Sequence, residues 1–421
     1  MKKILALIAA FAMAAMLLCI PAFAAADAGV TDKDFTIKEY IFEKDTKDLT
    51  YFCVLTNNSK KNIKTKVDIS VKDASGKELK ADSITFNTLA PGDTAFQLRS
   101  ISAEGYKKVD SKRTYSEEKR DEPVLKDIKL ETVDLKDHVV VTLENNSEYC
   151  FSDMSLAAIF LDKQDKVVAY DNISVQDINT YFNPGQKLSL QLNSKEKYDK
   201  VVVATTAPGF LKKPEKIDQP LTKIDPEKIE LKQIYTQDKF GNAELYYTVT
   251  NKNDDPAIVN INAVAYDKDG KIIASADSYY NSGTKYNFYA IGKDKPQLSC
   301  LIFNNVKSED IDKIDYQIEA HGFTEKYKYV SIENDFEYNC APDGKNLKGK
   351  ATNKSKDADL SGSLYVFFVD KDGKLLEKDS STIGSKSLSL KAGETKEFDI
   401  SLPRADYDHY DIYYRVSGKV K

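Results

Sequence analysis

Tryptophan is absent from all 421 residues, and the chain holds only three histidines, four methionines and five cysteines. The missing Trp removes the core indole of antibody-type domains and the usual stacking platform for sugars. His138, His321 and His409 lie more than 80 residues apart, so no pair has the spacing of a metal site or a His-based triad. No Gly-rich phosphate loop, Gly-x-Ser-x-Gly turn or Cys–His dyad occurs either. No cofactor, metal site or catalytic residue is therefore expected, and the chain reads as a non-enzyme.

A basic excess is lacking as well. Lys and Arg number 61 against 66 Asp and Glu, giving a formal net charge of −5 with 30% charged residues of interspersed sign. That balance suits a hydrated surface and excludes a nucleic-acid binder, which needs cations to neutralise phosphates. Cysteines are few and mismatched. Cys53, Cys150, Cys300 and Cys340 occupy different positions relative to the repeats described below, so they do not form a disulfide framework. They read as buried free thiols; Cys300 with Cys340 is the pair to expect if any bridge forms.

Long apolar runs are missing except at the start. Met1-Lys2-Lys3 is followed by apolar sequence from Ile4 to Ile20, then Pro21 and the small-residue site Ala22-Phe23-Ala24. This is the pattern of a secretory signal peptide, with cleavage expected after Ala24. A retained anchor would need ~20 apolar residues to span a bilayer. Lipid attachment at Cys19 would need a small residue before it, and Leu18 stands there. The expectation is a secreted or cell-surface protein with no transmembrane anchor in the mature chain.

What the chain does have is one cassette, four times over. An apolar run ends in Thr56-Asn57-Asn58-Ser59, Glu144-Asn145-Asn146-Ser147, Thr250-Asn251-Lys252-Asn253 or Thr352-Asn353-Lys354-Ser355. Sixteen or seventeen residues after that Asn, an Asp closes an alternating strand: Asp73, Asp162, Asp267 and Asp370. A later loop carries Gly92, Gly185, Gly292 or Gly393 and leads into another strand. The anchor asparagines are 88, 106 and 102 residues apart, the length of a small domain rather than of a solenoid repeat.

Strand signals fill each repeat. Leu245 to Thr250 is aromatic and β-branched, and Ile261, Ala263 and Ala265 alternate with Asn262, Val264 and Tyr266. Asp267-Lys268-Asp269-Gly270 and Asp370-Lys371-Asp372-Gly373 read as hairpin turns, as does Asp73-Ala74-Ser75-Gly76. In Asp162-Lys163-Gln164-Asp165 the Gly is missing, and Asp165 must take its place. The Asp-Lys-Asp-Gly loops also invite a calcium reading, but the further oxygen ligands and distal bidentate Glu are not in place. About seven short strands per repeat with no amphipathic helix imply an all-β chain. The expectation is four tandem immunoglobulin-like antiparallel β-sandwich domains after a cleaved signal peptide. The expected bounds are 1–24 for the leader, 31–118, 123–207, 228–322 and 325–421 for the repeats, and 208–227 for a Pro/Lys-rich linker.

These motifs resemble the FxLYD domain of exported bacterial proteins. The likeness rests on the Asn turn, on Ile159-Phe160-Leu161-Asp162, Val264-Ala265-Tyr266-Asp267 and Phe367-Phe368-Val369-Asp370, on the Asp-Gly-Lys hairpin and on the later Gly loop. The first repeat departs most, with Ile69-Ser70-Val71-Lys72-Asp73. The resemblance implies an extracellular β-sandwich and brings no catalytic residues with it.

Tyrosine is plentiful at 25 residues. In the third repeat Tyr279, Tyr280, Tyr286 and Tyr289 concentrate in the variable segment and are the candidate binding residues. The competing reading is that they populate strand faces, which Tyr favours. The function expected is a spacer and recognition protein acting on a protein or cell-envelope glycan, with affinity multiplied by repetition. The alternative is a carbohydrate-binding accessory of an extracellular hydrolase system.

Overall fold

The computed structural model describes residues 29–118, 125–152, 154–175, 181–206, 210–213, 222–278, 288–322, 329–376, 383–403 and 406–420. Among them there is no α-helix. The chain divides into two compact units, Met1–Lys126 and Asp127–Lys421. The leader and half of the 208–227 linker lie outside the described residues, and Phe210–Lys212 within that linker forms a strand.

The first unit has six strands: β1 (Phe35–Glu43), β2 (Asp48–Asn57), β3 (Ile63–Lys72), β4 (Glu78–Leu89), β5 (Thr94–Ser102) and β6 (Lys108–Glu117). They form two antiparallel sheets, ordered β1-β2-β5 and β4-β3-β6. The alternation along β3 sets the layering. Ile63, Val67, Ile69 and Val71 are buried, while Lys64, Lys66 and their neighbours on the other face are partly or fully exposed.

The second unit repeats that pair of sheets three times. Its first copy comprises β7 (Ile128–Asp134), β8 (His138–Asn145), β9 (Cys150–Ser152), β10 (Met154–Leu161), β11 (Val167–Val175), β12 (Lys187–Asn193), β13 (Lys200–Thr205) and β14 (Phe210–Lys212). The sheets are β12-β8-β7 and β11-β10-β13, with β14-β9 as a short ribbon. The next copy has β15 (Ile229–Lys239), β16 (Asn242–Asn251), β17 (Ala257–Tyr266), β18 (Ile272–Asp277), β19 (Phe288–Ile291), β20 (Gln297–Phe303) and β21 (Lys313–His321). Here β15-β16-β20 faces a sheet in which β17 carries β18, β19 and β21. The last has β22 (Tyr329–Val330), β23 (Phe336–Asp343), β24 (Asn346–Asn353), β25 (Ala358–Val369), β26 (Ile383–Leu390), β27 (Thr395–Ser401) and β28 (His409–Val420). Its sheets are β23-β24-β27 and β22-β28-β25-β26.

The recurring Asn is a structural pin. Asn57, Asn145, Asn251 and Asn353 are all wholly buried, and each spends its amide on backbone. In the first unit Asn57 Nδ2 donates to Lys61 O and Leu89 O, both at 2.8 Å, and Oδ1 accepts from Ser59 N at 3.0 Å. Asn145 repeats this with Tyr149 O at 2.8 Å, Phe182 O at 2.9 Å and Ser147 N at 3.0 Å. Asn251 does so with Asp255 O, Ile291 O and Asn253 N, and Asn353 with Ala358 O, Leu390 O and Ser355 N. One side chain thus closes its own turn and ties it to the loop that opens the later strand. A buried amide is tolerated because its hydrogen-bonding groups are satisfied.

The hairpin Asp is explained in the same way. Asp73 Oδ1 accepts from Ser75 N and Lys77 N, at 2.8 and 3.0 Å. Asp162, Asp267 and Asp370 accept from the corresponding i+2 and i+4 amides, each at 2.9 Å. The residue three beyond the Asp needs a left-handed backbone: Gly76 has φ 85°, Gly270 75° and Gly373 76°. Asp165 takes φ 61° where the second repeat lacks Gly, a conformation Asp enters more readily than most residues.

Within the second unit the sheet pairs are fastened to one another. Every residue of β17 from Ala257 to Ala265 is buried. Val259, Ile261, Ala263 and Ala265 fill their own core. Asn262, on the other face, meets the preceding copy: Ser189 N donates to its Oδ1 at 3.0 Å and its Nδ2 donates to Ser189 O at 2.8 Å. The next joint uses the same device. Val416 N donates to Gln297 Oε1 at 3.0 Å, and Gln297 Nε2 donates to Val416 O at 3.1 Å. Each amide imitates a peptide group in a strand pair. Around Gln297 an apolar layer of Tyr246, Leu298, Phe367, Val369 and Leu375 seals the joint, and burying each large side chain of this kind contributes about 1.5–3 kcal/mol.

Candidate functional site: a pinned hairpin and an aromatic groove

The tyrosines expected to bind are only partly placed. Tyr279, Tyr280 and Tyr286 lie outside the described residues. Tyr289 sits on β19, whose backbone pairs with β17 at Ala257–Ile291 and Val259–Phe288. The aromatics that the described residues do bring together are others. Phe367 is wholly buried, with Tyr246 edge-on at 5.0 Å, Tyr235 stacked at 5.3 Å and Tyr413 edge-on at 5.5 Å between ring centroids. Such arrangements complement the ring quadrupoles. Tyr235 Oη donates to Asp411, and burial followed by that carboxylate raises its phenol well above the ordinary range.

Beside this cluster opens a groove of about 280 Å³ between the last two sheet pairs. Glu244, Tyr246, Leu298 and Ile302 contribute to one wall, Tyr365, Ile383 and Arg415 to the other. Cys300 also lines it, and burial pushes its thiol up to about 12, so at neutral pH it remains a protonated apolar group. Glu244 accepts from Tyr246 Oη at 2.6 Å, and Arg415 Nη2 donates to Tyr365 Oη at 3.3 Å.

Lys239 lines the same groove and leads into the turn between β15 and β16. The turn residues Phe240 and Gly241 have φ 54° and 82°. Two successive left-handed residues define a tight hairpin turn whose first position normally holds Asn, Asp or Gly. Phe240 holds it here with its side chain 92% exposed, far beyond any other large hydrophobic residue among those described. Sequence reasoning passes over this residue. The available signal is a bulky aromatic just ahead of Gly241 in an otherwise polar stretch from Thr236 to Asn242.

His138 is 3% exposed, because the joint after its sheet covers it. Its Nδ1 faces Asp137 Oδ1 at 2.6 Å, and its Nε2 faces Ile273 O at 2.9 Å. A carbonyl only accepts, so Nε2 carries a proton. An acidic hollow of about 670 Å³ adjoins it, lined in part by Asp137, Asp267, Glu309, Asp310 and Asp312. Asp267 is already committed to its turn, and no group of three or more His, Cys, Asp or Glu among the described residues is placed to hold a metal ion.

In the first unit a second polar cluster gathers around Arg113, whose two terminal nitrogens are paired while its buried Nε has no partner. Arg113 Nη1 donates to Asp32 at 3.1 Å and Nη2 to Glu39; Ser111 Oγ reaches Glu39 at 2.6 Å and Tyr115 Oη reaches Asp32 at 2.6 Å. These bonds hold β1 to β6 within one sandwich. Cys53 lies close by with its thiol pushed up to about 12 by burial. All four described cysteines are free thiols, in line with the sequence reading, and the conditional Cys300–Cys340 pairing is not formed. The reason is visible in the packing: Cys300 joins the layer at the joint, whereas Cys340 packs against the core of the last sheet pair.

No family model matches the chain, and neither does any curated protein. Among solved structures it is similar to a red sea bream transglutaminase, at 8% identity and a TM-score of 0.15. That match covers 53% of this chain and 29% of the other, and at this level it carries no argument about activity.

Proposed function

We propose that the chain is an exported, non-catalytic protein of tandem FxLYD-like β-sandwich modules that serves as a spacer and recognition protein. It acts in the secreted or cell-surface space on a protein or an envelope glycan. The observation that carries this reading is the way the second unit is joined. Asn262 and Gln297 read the neighbouring backbone with paired hydrogen bonds, so three sheet pairs hold a fixed geometry and present their loops rigidly. Rigid presentation lowers the ordering cost of binding. The polar residues that recur from repeat to repeat support the non-catalytic part, since they are spent on their own turns.

Two measurements test it. N-terminal sequencing of protein recovered from medium and surface fractions should begin at Ala25, and recovery of the intact chain from the cytoplasm would refute export. Purified protein should be retained on isolated cell envelope or on a glycan array. Retention on polysaccharide alone would favour the carbohydrate-accessory reading, and retention on neither would leave a spacer without recognition.

A further inference from the structure

Phe240 is in the wrong place for a residue that only closes a turn. A large aromatic at positive φ is strained, and outliers of that kind persist where the surroundings enforce them. The surroundings here do so. Ser308 donates to Asp238 through its N at 2.7 Å and its Oγ at 3.1 Å, and Asn305 N donates to Asn242 Oδ1 at 3.1 Å. The pairing of β15 with β16 runs to its last rung, Lys239 with Asn242. Lys239 Nζ lies 5.6 Å from the ring centroid, so the cation accompanies the aromatic. The result is a pre-organised knob carrying a positive charge.

The groove beside it is its complement. It is walled by Tyr246, Leu298, Ile302 and Ile383, and it includes the carboxylate of Glu244. An interface about a two-fold axis must be self-complementary, with the same patch supplying knob and hole on both sides. This patch has a knob, a hole, a cation by the knob and an anion in the hole.

We propose that this face is a self-association surface. Phe240 of one copy seats in the Tyr246–Ile383 groove of a second copy, and Lys239 of each meets Glu244 of the other. The proposal names the partner for the recognition reading above and rests on it. A central aromatic in an apolar pocket is the form that interface hot spots take.

The test is sedimentation velocity on the full-length protein as the cell produces it, from low to high micromolar concentration. A monomer–dimer equilibrium is expected. Phe240→Asn should weaken it by about tenfold or more while raising the melting temperature, because Asn suits the turn. That gain separates lost contact from lost folding. Lys239→Glu and Glu244→Lys should each weaken self-association, and mixing the two variants should restore a dimer. A monomer at every concentration, or a dimer indifferent to Phe240→Asn and to the mixing, overturns the proposal. A monomer whose envelope retention falls with Phe240→Asn also overturns it while sparing the recognition reading, since the groove would then take a different partner.

Discussion

Replacing Asn57 by alanine should cost the first unit a large share of its stability. Four hydrogen bonds disappear: those to Lys61 O and Leu89 O, and those from Ser59 N and Ser59 Oγ. They are not equal. Ser59 is half-exposed and Lys61 exposed, so water can take over there, and each such bond is worth about 0.5–1.5 kcal/mol. Leu89 is wholly buried, and an orphaned buried carbonyl costs about 1–3 kcal/mol. With the three solvent-reachable bonds at the lower end of that range (about 0.5 kcal/mol each) and the orphaned carbonyl at about 2 kcal/mol, the total is about 3–4 kcal/mol, against the 5–15 kcal/mol typical of a whole domain. For a unit of this length that lowers the melting temperature by on the order of 15–25 °C.

The neighbouring Asn58 supplies the control. It is exposed and makes one side-chain bond, to Thr36 Oγ1 at 3.0 Å, so Asn58→Ala should cost about 0.5 kcal/mol or less. Asn57→Asp is the sharper variant. It keeps the acceptor for Ser59 but sets a second oxygen against two carbonyls in a wholly buried site, so it should be at least as damaging at neutral pH. Calorimetry on the full chain measures the loss, and hydrogen exchange in peptides covering β2 and β3 assigns it to the first unit. An Asn57→Ala cost under about 1 kcal/mol, indistinguishable from Asn58→Ala, would refute the claim that this Asn pins the sandwich.

Three other outcomes follow from the joints and the thiols. Gln297→Leu should accelerate hydrogen exchange around Val416 and cost about 1–3 kcal/mol, because Val416 N and O lose their partner in a buried setting; unchanged exchange there would count against the latch. Glu333 is 7% exposed, and burial raises its carboxyl above the ordinary carboxylate range despite bonds from Gly292 N and Gln297. Its folded value thus exceeds the unfolded one, so its contribution is fully present below the unfolded value and is lost as pH rises through the folded one. A denaturant series across that window should show stability falling with pH, and Glu333→Gln should flatten the slope. Alkylation after unfolding without reductant should label Cys53, Cys150, Cys300 and Cys340 alike, and a Cys300–Cys340 crosslinked peptide would contradict the packing.

The repeats were legible because their periodicity is written in residues with local jobs. Asn57 and its three counterparts stand beside the turns they close, so their role extends only a few residues plus one partner loop. The hairpin Asp is equally local, and the substitution of Asp165 for Gly could be anticipated from the φ requirement alone. The joints were not legible, for the opposite reason. Asn262 alternates with core residues in an ordinary strand pattern, and nothing local says that its face meets another sheet rather than water. His138 fails in the same way: its seclusion comes from Ile273, 135 residues away. A polar residue buried by a neighbouring module looks, in one dimension, like a polar residue on a surface.

One strand position nevertheless carries the difference between a covered face and an open one. Counted from the pinning Asn, Val140, Tyr246 and Lys348 occupy the same outward-facing place in the three copies of the second unit. Val140 is 1% exposed and Tyr246 9% exposed, the latter covered by Phe367 of the next copy. Lys348 instead reaches Asp343 at 2.8 Å with its side chain 55% exposed, and Lys350 beside it reaches Glu397 at 3.4 Å. The copies share a backbone plan, so the plan cannot decide which outward face is covered. The outward side chains can: an apolar face must be covered to recover the free energy of burial, whereas a face of paired charges gains almost nothing from losing water. A few substitutions on one sheet therefore suffice to turn a face that joins its neighbour into one that stays solvated.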